Sequence, residues 1–256
     1  MVTLFFVHGY ASGSISWDLI RPFIDKNKYR AKFFDMVGCG NIKPPKSFGY
    51  SLEEQAAHLK AEISKVEGEV ILVAHSMGAA VAIISILDFE VEPQRLILVD
   101  PLVFPQARPF FVRIQTIPVI SAAISWMVPP SFQVDLVLRR ISFNIKNINS
   151  LLRRRYILAF KKPYHRKMLR KTAVQLNRFN GRQYIERFST IEIETDVIWA
   201  KEDPLIEFEK SEKFKNSIKK CSVSPFERCG HAPQEECPER FAELLLKVLT
   251  KDGKLC

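Results

Sequence analysis

Four short runs dominated by apolar residues, at 2–7, 69–74, 96–99 and 196–200, limit this chain to few architectures. They are too short for packed helices, and their apolar residues run on instead of alternating. A strand with one wet face alternates; a strand covered on both faces need not. Between these runs the period changes. Ser51-Leu52-Glu53-Glu54 has the form of a capping box, and Leu52, Ala56, Leu59, Ile63 and Val66 follow at helical spacing. Residues 77–87 and 208–218 read as further helices, 15–24 as a short helix, and 31–34 and 222–226 as short strands. Phe241, Leu244, Leu245, Val248 and Leu249 mark a terminal helix with Pro238 in its first turn. Strands alternating with helices form βαβ units, so the expected fold class is α/β, with a mostly parallel, doubly wound sheet of about six strands.

In such sheets functional groups gather beyond the carboxyl ends of the strands. His8, Asp35, Ser76, Asp100 and Asp203 all fall just past expected strand ends. Ala74-His75-Ser76-Met77-Gly78 lies at a strand-to-helix junction and has the form of a nucleophile elbow, with Ala where the first Gly usually stands. Small residues are required there because the turn is sharp and two backbones approach closely. A serine hydroxyl is a poor nucleophile until a base takes its proton, and His231, in Gly230-His231-Ala232-Pro233 just ahead of the terminal helix, supplies one. Asp203, after the strand 196–200, supplies the orienting acid on the chain order Ser…Asp…His. Asp100, after the preceding strand, is its rival, and Glu202 a lesser one. An oxyanion needs donors as well. The backbone N–H of Met77, after the nucleophile, and that of Tyr10, in the loop His8-Gly9-Tyr10, are the expected pair. His8 itself reads as a buried structural residue, and 35–40 as a turn below the site.

Taken in this order and spacing, His8-Gly9-Tyr10, Asp35-x-x-Gly38-x-Gly40, Ala74-His75-Ser76-Met77-Gly78, Asp203 and Gly230-His231 resemble the α/β-hydrolase superfamily in its serine-nucleophile branch. The resemblance implies a hydrolase core in two parts, 1–101 and 191–256, with residues 102–190 inserted as a helical cap. It also implies a short sheet, without the family's usual first two antiparallel strands, and no metal or organic cofactor. Caps in this family cover the nucleophile, so the apolar stretch 104–138, with Phe110, Phe111, Ile117, Ile120, Ile124, Trp126, Met127 and Phe132, is expected to line a greasy acyl pocket.

The charge is uneven. Of 38 Lys and Arg and 28 Asp and Glu, residues 102–189 hold seventeen basic side chains and only two acids, Asp135 and Glu186. So one-sided a segment calls for an acidic partner. Docking of an acidic acyl carrier protein is one expectation, because length, cap and His-Ala-Pro are similar to the methyl-esterase type that acts on carrier-bound pimeloyl esters. Arg139, Arg140, Arg153, Arg154 and Arg155 are the candidate contacts. An anionic membrane surface, with the uncharged residues 114–134 dipping into it, is the second; nucleic acid is not expected, since no binding motif is present. The expected function is cleavage of carboxylic esters with an apolar acyl group through an acyl-enzyme. The alternatives are a carbon–carbon hydrolase of the ring-cleavage type, a lipase at a membrane surface, and, outside enzymes, a binding protein on a hydrolase fold. No basic segment precedes the apolar run 2–7, and five cysteines show no C-x-x-C spacing, so the expected location is the cytoplasm.

Overall fold

A computed structural model of the chain describes residues 1–250; residues 251–256, the tail of the expected second core part, lie outside the described residues. Six strands form one sheet: β1 (Val2–Val7), β2 (Tyr29–Phe34), β3 (Val70–His75), β4 (Arg95–Val99), β5 (Glu194–Ala200) and β6 (Cys221–Phe226). Their order is β2-β1-β3-β4-β5-β6 and every pairing is parallel, the doubly wound arrangement expected. The helices are α1 (Leu52–Ile63), α2 (Met77–Phe89), α3 (Phe110–Arg113), α4 (Pro118–Met127), α5 (Pro130–Ile141), α6 (Ser150–Lys161), α7 (Pro163–Arg178), α8 (Arg182–Ile185), α9 (Ser211–Ser217), α10 (Pro233–Glu236) and α11 (Pro238–Thr250).

Alternate residues of each buried strand feed opposite cores. From β1, Phe5 and Val7 pack among residues of α1 and α2, whereas Leu4 and Phe6 pack with Trp17, Ile20 and, from α11, Phe241. Both faces being covered is why the strands carry no polar alternation. The capping box of α1 is present in full: Glu54 N donates to Ser51 Oγ at 3.1 Å, and Ser51 N to Glu54 Oε2 at 3.0 Å.

Two expected helices take another form. Residues 15–24 make two 3₁₀ turns, Ser14–Trp17 and Arg21–Phe23, because Pro22 has no N–H to extend a ladder. In 208–218 a 3₁₀ turn, Phe208–Lys210, precedes α9.

Between β4 and β5 the chain forms α3 to α8, a helical layer over the carboxyl edge of the sheet. It is fastened to the loop after β6. His231 N donates to the carbonyl of Ile141 at 2.8 Å. The buried carboxylate of Glu236 accepts from Phe143 N (3.0 Å), Asn144 N (2.6 Å) and Gly230 N (2.9 Å). A Cβ on Gly230 would stand 2.2 Å from the Ile141 carbonyl oxygen, so only glycine lets the two loops meet.

The tightest junction is that of β3 with α2. Ser76 sits there at φ 53°, ψ −119°, a strained conformation for a residue with a Cβ. A Cβ on Gly78 would fall 2.4 Å from the His8 carbonyl oxygen and 2.8 Å from that of Val7. Gly78→Ala should therefore force α2 away from β1 and lower stability by about 1–3 kcal/mol, as overpacking does. Urea unfolding of this variant against wild type measures it; an unchanged midpoint would contradict the close approach.

Candidate active site

Ser76, Asp203 and His231 come from three separate strand ends and meet. Ser76 Oγ lies 2.8 Å from His231 Nε2, and His231 Nδ1 lies 2.7 Å from Asp203 Oδ2. The Asp203 side chain is wholly buried, and its Oδ1 accepts from Leu205 N (2.7 Å) and Ile206 N (3.1 Å). With an acceptor on the Nδ1 side, the imidazole carries its proton on Nδ1 and leaves Nε2 to accept from the serine. Such an imidazole can take the hydroxyl proton as the oxygen attacks.

The rivals stand elsewhere. Asp100 is fully buried and accepts from Ala200 N at 2.7 Å; its Oδ2 has no hydrogen-bond partner among the described residues. Burial, and then the nearby charge of Asp203, push its carboxyl well above the usual range. Glu202 accepts from Cys229 N at 3.3 Å.

The loop after β1 reaches the same place. A Cβ on Gly9 would lie 3.1 Å from Ser76 Cβ, so this glycine allows the loop to pass beside the serine. Neither Tyr10 N nor Met77 N donates to another group among the described residues. Met77 follows the serine directly in the chain, and Tyr10 follows Gly9, whose Cβ position stands beside Ser76. His8 is buried and structural: its Nε2 accepts from Met36 N at 3.1 Å, and its Nδ1 donates to Gly9 O at 2.8 Å, tying β1 to the turn after β2. In that turn, Asp35 accepts from Ser14 N at 2.7 Å.

A cleft of about 870 Å³ opens on Ser76 and His231. Its walls are mostly apolar and include Phe111, Val134, Leu138, Ile141, Phe160 and Leu176. Of the side chains expected to line it, Phe111 does; Ile124 is half-buried and not on the wall, and Phe110, Ile117, Ile120, Trp126, Met127 and Phe132 are exposed on the outside of the helical layer. Hydrophobicity alone did not tell an inner wall from an outer face, and Val134 and Leu138 took the inner positions.

Three features escaped the sequence reading. His75 donates from Nε2 to the carbonyl of His231 at 2.7 Å, bracing that residue. Burial, and then the adjacent His231, hold it down to a pKa of about 3, so it stays neutral. Glu235 is buried on the cleft wall, and its Oε1 accepts from the hydroxyls of Ser16 and Tyr156. Its Oε2 has no hydrogen-bond partner among the described residues. Arg108, also on the wall, donates from Nε to Leu176 O (2.9 Å) and from Nη2 to Phe179 O (3.1 Å), while its buried Nη1 has no hydrogen-bond partner among the described residues. A Glu four places past a loop histidine was the one available signal for Glu235.

The candidate partner contacts divide. Arg153 is paired with Asp135 through two hydrogen bonds (2.5 and 2.7 Å), and Arg155 with Asp18. Arg139, Arg140 and Arg154 are exposed.

A model of the alpha/beta hydrolase family matches residues 4–244. The chain belongs to the alpha/beta hydrolase family. Among curated relatives, 2-hydroxy-6-oxo-6-(2'-aminophenyl)hexa-2,4-dienoic acid hydrolase of Metapseudomonas resinovorans is 26% identical over 252 residues, covering 96% of this chain and 83% of the relative. Human monoacylglycerol lipase ABHD6 is 27% identical over 86 residues, 34% of this chain and a quarter (25%) of the lipase's length. Among solved structures, an esterase from Exiguobacterium antarcticum superposes with a TM-score of 0.81 at 18% identity, over 97% of this chain and 91% of that one. A meta-cleavage product hydrolase from Pseudomonas fluorescens gives 0.80 at 19%, over 98% and 91%. This likeness shows the fold of a hydrolase.

Glu235 makes the cleft wall sensitive to pH. Burial raises its carboxyl to about 7, against the opposing hydrogen bonds of Ser16 and Tyr156. Between the ordinary carboxyl range and pH 7 the folded chain thus binds a proton that the unfolded chain releases. Its stabilising contribution is complete in acid and is lost as pH rises to about 7, on the order of 3 kcal/mol for a shift of this size. Glu235→Gln should flatten that decline. Thermal melts from pH 4 to 8 measure it, and parallel curves for the two proteins would refute it.

Proposed function

We propose that this alpha/beta hydrolase cleaves carboxylic esters with an apolar acyl group through an acyl-enzyme, with Ser76, His231 and Asp203 as a catalytic triad. The single observation carrying this reading is the continuous hydrogen-bonded line from Ser76 Oγ to Asp203 Oδ2 at the head of a mostly apolar cleft. Ser76 Oγ attacks the ester carbonyl while His231 Nε2 takes its proton. Met77 N and Tyr10 N donate to the oxyanion that forms. His231 then returns the proton to the departing alcohol, leaving the acyl group on Ser76. Water, deprotonated by the same imidazole, releases the acid and restores the serine. Throughout, Asp203 holds Nδ1–H and steadies the imidazolium.

An intact line of three such groups disfavours a binding protein on this fold, which needs none of them. A carrier-bound ester is one form of substrate within this reading. Its support is the basic charge of the helical layer, of which Arg139, Arg140 and Arg154 remain exposed and without an ion-pair partner among the described residues.

A second reading, hydrolysis of a carbon–carbon bond in a ring-cleavage acid, uses the same triad. Arg108 favours it, because a cation on the cleft wall with a spare N–H suits an acidic substrate, and the dienoic acid hydrolase is matched along most of this chain.

Ser76→Ala should abolish labelling by a fluorophosphonate with the fold intact, and persistent labelling would remove Ser76 from the reaction. Asp203→Asn should depress turnover roughly 10³- to 10⁴-fold, and Asp100→Asn far less; steady-state kinetics on p-nitrophenyl esters showing the reverse order would reassign the acid. Arg108→Met decides between the two readings. A loss of tenfold or more in kcat/KM on a dienoic acid, with a neutral ester untouched, supports carbon–carbon hydrolysis; equal effects on both leave Arg108 to the carbonyls of Leu176 and Phe179 and reject it.

A further inference from the structure

The outer face of the helical layer is apolar where a water-exposed surface should be polar. Phe110 is 73% exposed, Val119 80%, Trp126 88%, Met127 69% and Phe132 62%. These come from α3, α4 and the start of α5, and no charged residue occurs anywhere in 114–134. In α4 only Ser121 is buried, so this helix turns nearly its whole surface outward. Scattered exposed apolar residues need no explanation, but a large contiguous apolar patch marks an interaction site. No single described helix is long and apolar enough to cross a membrane, and the segments Phe110–Thr116 and Pro118–Met127 form a pair bent by 110° with its elbow at Ile117.

The surroundings of the patch are cationic. Arg113 precedes α4 and is exposed; Arg139 and Arg140 close α5. α4 rests on α7, where Arg166 Nη1 donates to the carbonyl of Ser125 at 2.9 Å, and α7 also carries the exposed Lys167 and Lys171. Of the two acids in the layer, Asp135 is already held by Arg153. An apolar helix with an aromatic tip and a basic border combines the two attractions that hold a protein at an anionic bilayer surface, burial of apolar side chains and attraction to lipid headgroups.

We propose that α3, α4 and the start of α5 form a docking surface for an anionic lipid bilayer, with Trp126, Val119 and Met127 entering the interface and Arg113, Lys167 and Lys171 contacting headgroups. An acidic protein would meet the basic border but leave the apolar face in water, and an uncharged surface would leave the border without a role. The same helices reach the cleft from behind: Phe111 of α3, and Val134 and Leu138 of α5, are on its wall. A docked layer therefore sets an apolar cleft directly above a lipid phase.

Trp126 is its own reporter. The other tryptophans, Trp17 and Trp199, are fully buried, so lipid acts on the emission of Trp126 alone. Vesicles of phosphatidylglycerol and phosphatidylcholine should shift that emission to the blue, and brominated acyl chains should quench it. Pure phosphatidylcholine vesicles should bind at least tenfold more weakly, and salt at about 0.5 M should weaken anionic binding about tenfold, since the Debye length shrinks to roughly 4 Å. The double variant Val119→Asp, Met127→Asp keeps Trp126 and changes only exposed side chains. It should lose tenfold or more in vesicle affinity at an unchanged melting temperature. Unaltered emission on anionic vesicles overturns the proposal. So does a blue shift that grows with protein concentration in the absence of lipid, with a dimer in sedimentation, for then a second copy covers the patch. Ser76→Ala should bind vesicles like wild type, so failure here is separable from failure of the esterase reading.

Discussion

Everything at the site depends on how closely α2 can approach the end of β1. With hydrogen as its side chain, Gly78 lets the first turn of α2 lie against the carbonyls of Val7 and His8. Beside that contact Ser76 takes its strained turn, at φ 53°, and its hydroxyl meets His231 Nε2. The same proximity brings Gly9 within contact distance of Ser76, so the loop carrying Tyr10 N shares its position with the serine. Moving α2 outward by the radius of a methyl group would separate the hydroxyl from the imidazole and from the loop that carries Tyr10 together.

Around that junction, burial sorts groups that are chemically alike. Asp100 and Asp203 are neighbouring carboxyls at the ends of adjacent strands. Asp203 receives two backbone N–H groups and the imidazole, whereas Asp100 receives one N–H, and its burial and the nearby charge of Asp203 favour its protonated form. His75 and His231 divide in the same manner: one is kept neutral as a brace, and the other faces the serine and the cleft.

The sheet was legible because its strands are covered on both faces, so 2–7 and 69–74 are dominated by apolar residues to a degree that no surface segment needs. The elbow and the loop histidine were legible because sterics and proton transfer demand particular residues at particular junctions. Asp203 was separable from Asp100 only by chain order, since both read as an Asp after a strand. The helical layer was read less well. Trp126 and Met127 are as apolar as Val134 and Leu138, and composition cannot say whether such a side chain faces a cleft or the outside. Glu235 and Glu236 were lost for a related reason: acids in a first helical turn normally favour the helix from the surface, whereas here both are buried and engaged.

The bond from His231 N to the Ile141 carbonyl, with Glu236 gripping Phe143 and Asn144, has a bearing on modularity. An insertion that only roofed a cleft could be exchanged between relatives as a cassette, with new substrates acquired at no cost to the chemistry beneath. In this chain the end of α5 is part of the mounting of the imidazole. A recombined layer would have to supply a carbonyl and two N–H groups in the same places, or the graft would bring a new pocket with a misaligned base. For the chemistry beneath, the layer is most constrained at the short stretch where α5 ends.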